Sequence, residues 1–542
     1  MSSTHLRLTI LLLVTSASTH AADAPSAIKF DPVTGDANGT AAAFVAWHKA
    51  EMERQGGPGK QSHGWWPWGL RAADFDNDGV PDLLASHHGA PHSIVLRGTR
   101  TPAGTLTFAD ATKQFGVDGR DLPWADDRPW VWDFDGDGFL DLAGFSDEAT
   151  SRAASNDAGK RFVPFKDDPF KSLAHPREVL DLNGDGFLDV DGGAKGQWLY
   201  VPDKKTFRRD PTPRSAPPAG LPETVVKEFA ELKKVHRFFG ADFLTHNLTG
   251  YDTVGYDPRP IDLDGDGRGD VVVSGSGGYG AAYAGRYLIR QADDTLLDRT
   301  ADLGLPTAGA AILVRDLTGD GLPEVLIVSN KPGGTDGGLF INGPGGKFHR
   351  VDGPISKFLD QRGPYLIRAY PADFDNDGRT DIVLSNPRMG LAAVYHNQGD
   401  GRFAEVLKLG GCWDSNPVVV ADLDADGRPD LAVGLRASKD SPGEIQLFLN
   451  RSPNPGHYLS VAPRLAAPNP FAVGAVVEIF AAGQLGAPGA RSLAVEKARL
   501  DGSPILTGLG EVTRCDVRVT FPGGKVVERK GVEADRPVTI AP

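Results

Sequence analysis

One nine-residue acidic pattern recurs seven times along the 542-residue chain, and it limits the possible folds more than any other feature. It reads DFDNDGVPD from Asp74, DFDGDGFLD from Asp133, DLNGDGFLD from Asp181 and DLDGDGRGD from Asp262. It continues as DLTGDGLPE from Asp316, DFDNDGRTD from Asp373 and DLDADGRPD from Asp422. Successive copies begin 59, 48, 81, 54, 57 and 49 residues apart. A period of about 50 residues, with β-type sequence between the copies, indicates radial or solenoid repetition of one small unit.

The spacing carries chemistry. Carboxylates at positions 1, 3 and 5 of a tight loop turn toward one cation, glycine at position 6 lets the chain reverse, and the position-7 carbonyl and position-9 acid complete an oxygen cage. The candidate ligands are Asp74, Asp76, Asp78 and Asp82 in the first copy; Asp133, Asp135, Asp137 and Asp141 in the second; and Asp181, Asn183, Asp185 and Asp189 in the third. They are Asp262, Asp264, Asp266 and Asp270 in the fourth, Asp316, Thr318, Asp320 and Glu324 in the fifth, Asp373, Asp375, Asp377 and Asp381 in the sixth, and Asp422, Asp424, Asp426 and Asp430 in the seventh. All-oxygen, adaptable coordination suits Ca²⁺ better than Mg²⁺ or Zn²⁺. An EF-hand needs Glu at position 12, where this chain has Ala85, Gly144 and Val273 in three of the copies. The alternative is a set of Asp/Gly hairpin turns capped by their own side chains, which seven four-fold matches argue against. Asn183 removes a charge from the third copy, and Thr318 and Glu324 alter the fifth, which is expected to be the weakest or empty.

The loops hold 26 of the 71 acidic residues. Seven Ca²⁺ would bring +14 against a formal charge of −14. The acidity is therefore read as ligand. It also excludes a nucleic-acid partner, which needs clustered Lys and Arg.

Short apolar segments such as Val271–Ser274, Gly285–Arg290 and Leu296–Thr300 follow the loops and end at Gly, Asn or Pro. They predict one four-stranded antiparallel sheet per repeat. The expected fold is all-β: a seven-bladed β-propeller with calcium loops, plus a small C-terminal β-domain. The last strand of several repeats reads Phe-x-x-x-Thr, as in Phe108–Thr112. Ile28–Thr34 has the same form before the first repeat, and is expected to close the ring as the outer strand of the last blade.

The D-x-D-x-D-G-x-x-D loops resemble the FG-GAP/VCBS repeats of integrin-like propellers. The tail after Asn450 resembles the ASPIC/UnbV domain of cartilage-acidic-protein-like and bacterial exported proteins. That likeness rests on His457-Tyr458-Leu459, Asn469, Gly474-Ala475, Gly508-Leu509-Gly510 and Phe521-Pro522-Gly523-Gly524, with Phe521 where the family usually has Trp. The resemblance implies calcium as the bound ion but fixes no activity, since one fold hosts many. The organisation read from the sequence is a signal peptide at 1–22, an N-terminal segment at 23–59, the propeller at 60–450 with a helical insertion at about 203–259, and the C-terminal domain at 451–542.

The signal peptide follows from Arg7, the apolar run Leu8–Val14 and the small residues ending at Ala21-Ala22. It implies a secreted or periplasmic protein; no segment is long enough to span a bilayer. Ala41–Arg54 and Leu221–Val235 show helical periodicity. Trp65, Trp66, Trp68, Trp124, Trp130 and Trp132 crowd the first two repeats with His87, His88 and His92; they either fill the wedge between blades or stack on sugar rings. Cys412 and Cys515 either form a bridge between the last blade and the tail or are simply buried. No nucleophile elbow, phosphate loop or zinc-protease motif occurs, so no catalytic residue is assigned. The expected role is adhesion to, or recognition of, extracellular glycan or protein. The alternative is a carbohydrate-active enzyme of lyase or dehydratase type, with His87, His88, His246, Tyr283 and Arg286 converging on the channel mouth.

Overall fold

The computed structural model describes residues 28–54, 67–87, 93–117, 122, 129–145, 152–167, 169–170, 173, 176, 178–192, 196–212, 220–227, 243–244, 260–273, 285–307, 309–329, 336–360, 367–386, 391–410, 417–435, 443–453 and 455–542. The fold is all-β. Among the described residues between Phe30 and Asn450 lie seven four-stranded antiparallel sheets, six of them consecutive meanders. The first is built from Pro67–Ala73, Asp82–His87, Ser93–Arg100 and Leu106–Asp110. Sheets two to six begin at Trp130, Glu178, Phe243, Ala310 and Arg368 in the same order.

The seventh sheet takes three strands from Val418–Ala421, Asp430–Leu435 and Glu444–Asn450. Its outer strand is Phe30–Val33, antiparallel to Glu444–Asn450 with Phe30 opposite Asn450 and Val33 opposite Leu447. The closing segment thus lies where its sequence placed it, although Thr34 serves differently. Thr34 caps the following short helix, while Thr40 accepts the Ile445 N–H at 3.1 Å. Thr112, Thr300 and Ser356 accept the N–H of Val95, Tyr287 and Leu339 in the corresponding place after the fourth strands of sheets one, four and five.

The second strands are apolar on both faces because each face is covered, by a neighbouring sheet or, for Val271 and Val273 of the fourth sheet, by Val225 of the insertion. Alternate side chains point to opposite faces, so Leu83 and Ala85 join the core shared with the seventh sheet, and Leu84 joins the one shared with the second. Further shared cores join sheets two and three, four and five, five and six, and six and seven. The contact between the first and seventh sheets closes the succession into a propeller-like ring. Trp132 and Trp198 are fully buried between sheets two and three, which makes them wedge fillers; Trp130 packs edge-on against Phe145 in the same cluster. Trp65, Trp66 and Trp124 lie outside the described residues.

The expected helix at 41–54 is present as Thr40–Arg54. Of the insertion, residues 223–227 are helical, with Val225 buried on the fourth sheet; 228–242 lie outside the described residues. The tail has its own core around Leu459, Val461, Val477, Ile479, Val517 and Phe521. A three-stranded sheet (His457–Pro463, Ile505–Gly510, Arg536–Ile540) and a four-stranded sheet (Val476–Ala481, Ala494–Lys497, Arg514–Thr520, Val526–Glu533) enclose it. Cys515 is a buried free thiol there, pushed up to about 11 by burial; Cys412 lies outside the described residues. Among the described residues no helix is long and apolar enough to cross a membrane.

Candidate metal centres

Every acidic loop connects the first strand of its sheet to the second; its position-9 acid is the first residue of that second strand in six loops, and in the fourth Asp270 immediately precedes Val271–Val273. The same hydrogen bonds build all seven. The position-1 carboxylate accepts the position-6 glycine N–H at 2.8–3.0 Å. The position-5 carboxylate accepts the position-7 N–H at 2.8–3.1 Å. These side-chain-to-backbone bonds substitute for a strand ladder while the chain reverses.

Two positions per loop are left-handed. Glycine at position 6 has φ between 82° and 94° throughout. Position 4 is left-handed as well, and is Gly136, Gly184, Gly265 or Gly319 in four loops, Asn77 or Asn376 in two and Ala425 in the seventh. Glycine and asparagine are the residues that tolerate this region, so position 4 carried a legible signal that the sequence reading passed over.

The position-9 acid does more than offer a ligand oxygen. One carboxylate oxygen accepts the position-2 N–H at 2.7–3.0 Å. The other accepts an N–H from the third strand at 2.6–3.4 Å, in turn from Gly98, Asn156, Tyr200, Arg290, Asn342, Asn397 and Asn450. Glu324 reaches the same two places from one methylene further back. A buried anion clasping loop to sheet explains why an acid recurs there even with its carboxylate bonds filled. Burial, reinforced by the other loop carboxylates, pushes Asp82, Asp133, Asp270 and Glu324 up to about 7 and Asp381 and Asp430 up to about 8. Groups held this far above the usual carboxylate range need a proton or a cation at neutral pH.

The structure brings the expected ligands together. Oxygens of Asp74, Asp76 and Asp78 lie within 4.8 Å of one another, as do those of Asp133, Asp135 and Asp141, of Asp262, Asp264 and Asp270, and of Asp373, Asp375 and Asp381. In the third loop the Asn183 amide donates to Asp185 at 2.9 Å. In the fifth, Thr318 Oγ1 is buried without a hydrogen-bond partner among the described residues. The oxygen-rich donor set and the high carboxylate pKa values both fit a divalent cation held by Asp, Asn and Thr oxygens.

The loops differ in the basic groups they already hold. Arg97 pairs with Asp76 at 2.5 Å and Asp78 at 3.3 Å. Arg451 pairs with Asp424 at 2.6 Å and Asp426 at 3.0 Å, and Arg428 also contacts Asp426. Arg268 contacts Asp266, and Arg379 contacts Asp377. In the second loop the described partners of Asp133, Asp135 and Asp137 are backbone N–H groups.

The repeats are tied to each other by asparagines that the sequence reading missed. The amides of Asn156, Asn342, Asn397 and Asn450 donate to the position-2 carbonyl of the preceding sheet's loop, at 2.7, 2.9, 2.8 and 2.6 Å. Across the first and seventh sheets Arg100 takes this role on Leu423 O at 3.3 Å.

The C-terminal domain sits on the same loops. Pro468 packs on Gly136 and Gly186, and Tyr458 covers Gly427. Gly508 faces the Asp373 carboxylate so closely that a Cβ could not fit. Gly510 N–H and Gly456 N–H donate to Asn376 O and Asp375 O, at 2.8 and 2.7 Å. Arg491 donates to Asp320 O, Glu496 pairs with Arg315 and Lys497 with Glu178. Phe471, Val473 and Leu500 join the core of sheets two and three. The residues proposed for an enzyme pocket fare differently. His87 is buried and packs against Trp47, with ring centroids 5.0 Å apart and planes tilted by 31°, and Arg286 lies 3.5 Å from Asp298. His88, His246 and Tyr283 lie outside the described residues.

A four-stranded sheet carrying an acidic loop between its first two strands, repeated around a ring, defines the class of molecule. Residues 316–384 and 373–433 match the FG-GAP-like repeat, covering the fifth, sixth and seventh loops. The mouse phosphatidylinositol-glycan-specific phospholipase D is 26% identical over a match covering 29% of this chain, which spans about a fifth (22%) of that protein's length. Among solved structures, an Agrocybe aegerita lectin that specifically recognises non-reducing terminal N-acetylglucosamine is similar at 19% identity, covering 66% of this chain and 82% of the lectin with a TM-score of 0.33. A Penicillium chrysogenum α-L-arabinanase is similar at 11% identity, covering 70% and 92% with a TM-score of 0.30.

Proposed function

We propose that this chain is an exported, calcium-stabilised, seven-bladed β-propeller with a C-terminal domain of ASPIC/UnbV type, acting as a recognition or adhesion module for extracellular glycan or protein. One observation supports it above the rest: seven equivalent loops, each presenting oxygen ligands at one corner of its sheet, with carboxylates held far above their ordinary pKa. Calcium would be held by the position-1, -3 and -5 side chains together with the position-9 acid, where it supplies the positive charge that burial of these groups demands. With extracellular calcium modules binding at about 10⁻⁴–10⁻³ M, the ions are structural at external calcium levels.

Binding is favoured over catalysis by the placement of His87. A buried imidazole packed against Trp47 is a packing element, and the enzyme reading needed it at the channel mouth. The test is a polysaccharide panel incubated with calcium-loaded protein, scored for retention and for product mass. Intact, retained glycan that is released by a chelator supports the reading. Shortened chains, or products lighter by one water, make the protein a carbohydrate-active enzyme.

A further inference from the structure

The sixth loop differs from its six siblings in one ligand-bearing residue outside the motif. In each sheet one residue precedes the third-strand N–H donor to the position-9 acid, and in the first and sixth its side chain reaches the loop carboxylates. Those residues are Arg97, Ser155, Leu199, Ile289, Ile341, His396 and Leu449. Histidine alone among them carries a nitrogen that can ligate a metal; the Arg97 guanidinium is a cation and has no lone pair to give.

His396 is placed as a ligand would be. Its Nε2 lies 3.1 Å from Asp375 Oδ2 and 3.9 Å from Asp377 Oδ2. Metal–nitrogen and metal–oxygen bonds of about 2.0–2.2 Å put neighbouring donor atoms about 3.0–3.5 Å apart, so this triangle lies near the size of one face of a coordination shell. Asp375 and His396 are only 7% and 8% exposed. The other Asp375 oxygen, Oδ1, is buried with no hydrogen-bond partner among the described residues. Asp373 and Asp381 complete the wall, and the Gly508–Gly510 segment of the C-terminal domain closes over it. Arg379 offsets one of these carboxylates through Asp377, which leaves an excess of negative charge for a dication.

We propose that the sixth loop binds a first-row transition dication, of the Mn²⁺ or Zn²⁺ type, through His396, Asp375 and Asp377, where its siblings take calcium. This rests on the reading that the loops are cation sites and adds that one of them differs in kind. The chemistry is ligand preference: calcium takes oxygen donors almost exclusively, whereas imidazole suits transition metals. A buried site roofed by a second domain also exchanges slowly, so it retains a scarce ion.

The experiment uses the tag-free full chain, stripped with chelator and dialysed against millimolar calcium containing trace Mn²⁺. Bound manganese and calcium are then counted separately. The expected result is one retained Mn²⁺ per chain, nitrogen modulation in its electron spin echo, and at least a ten-fold loss of manganese affinity in His396→Leu with the calcium count unchanged. His396→Gln should lose the nitrogen signal too. Manganese displaced fully by calcium in the wild type, or an echo without nitrogen, overturns the proposal, and the wild-type echo decides it even where a variant does not fold. A chain that binds neither metal in the calcium count overturns the underlying reading, while calcium bound at all seven loops overturns this inference alone.

Discussion

The second and seventh loops share the same motif, the same two left-handed positions and the same position-9 clasp, yet they carry charge differently. In the second, Asp133, Asp135 and Asp137 have backbone N–H groups as their described partners, with Lys205 a more distant positive neighbour of Asp135. In the seventh, Arg451 and Arg428 lie on Asp424 and Asp426, and Arg100 grips the loop backbone from the first sheet. Loops built on one motif therefore need not depend equally on a metal. What decides is position 7, Phe139 in the second loop and Arg428 in the seventh, together with the end of the third strand and the residue after it, Asp157 against Arg451. On this view the first and seventh loops, in which an arginine lies on two ligands at once, lean least on calcium, and the second leans most.

The broadest way to break this comparison is to remove the metal. In chelator at pH 7.5 the melting temperature should fall by at least about 10 °C, equivalent to several kcal/mol in a chain of this size, and recover with calcium. Differential scanning calorimetry reads both steps, and an unchanged melting point would end the calcium reading for all seven loops. Next in size are the clasps. Asp141→Asn and Asp430→Asn each turn an amide N–H₂ toward buried donors, Phe134 and Asn156 N–H in one loop and Leu423 and Asn450 N–H in the other. Each should cost about 2–5 kcal/mol, alike in both loops whatever else distinguishes them. A large difference between the two in denaturant unfolding would show that the clasp and the metal are one effect.

A sharper test separates the loops by sign. Arg451→Leu removes the one arginine that bridges Asp424 and Asp426, leaving Arg428 on Asp426 alone. In chelator it should cost about 2–3 kcal/mol, as removing one partner of a partly buried pair does. In calcium the cost should shrink, because the ion supplies the missing charge. Equal costs in both conditions would mean that the arginine and the ion do not compete for the same oxygens.

Proton linkage gives a smaller effect. In the metal-free chain Asp82, Asp133 and Glu324 titrate near 7 and Asp381 and Asp430 near 8, against about 3.9–4.3 when unfolded. Raised folded pKa values mean that the folded state holds the extra protons. Their stabilisation is complete below about pH 4 and is lost as pH climbs through 7 to 8. Metal-free protein should accordingly melt about 5 °C higher at pH 5 than at pH 8, and calcium, which needs the deprotonated carboxylates, should reverse the slope. A calcium-free melting point that rises with pH would contradict the buried, uncompensated state of these acids.

Much of this architecture was legible because the repeat is local. A loop that must reverse in nine residues writes its glycines and acids into consecutive positions, and Phe30–Val33 announces itself by imitating the fourth strands. Harder to see was whatever joins repeats. Asn156, Asn342, Asn397 and Asn450 look like ordinary strand-end asparagines, and their partners lie 76–81 residues away. The roof supplied by Pro468, Tyr458 and Gly508 was equally hidden, since nothing near these residues in sequence mentions the loops they cover. The position-9 acid was read for its charge alone; its clasping role needed the third strand's N–H in view.

The smallest effect isolates backbone from charge. Ala425 occupies the left-handed position 4 of the seventh loop with φ of 60°, where the second loop has Gly136 at 74°. A Cβ in that region costs about 1 kcal/mol, whereas glycine's greater freedom when unfolded takes back part of any gain. Ala425→Gly should therefore stabilise by no more than about 0.5–1 kcal/mol, by the same amount in calcium and in chelator, because it touches no ligand oxygen. If instead the gain appears only in calcium, the strained backbone is what holds the seventh loop's oxygens away from the ion, and its low metal dependence would belong to Ala425 and not to Arg451. Combining Ala425→Gly with Arg451→Leu separates the two. Additive effects keep the arginine as the cause, since independent sites add, while a double variant that regains full calcium dependence transfers the cause to the turn.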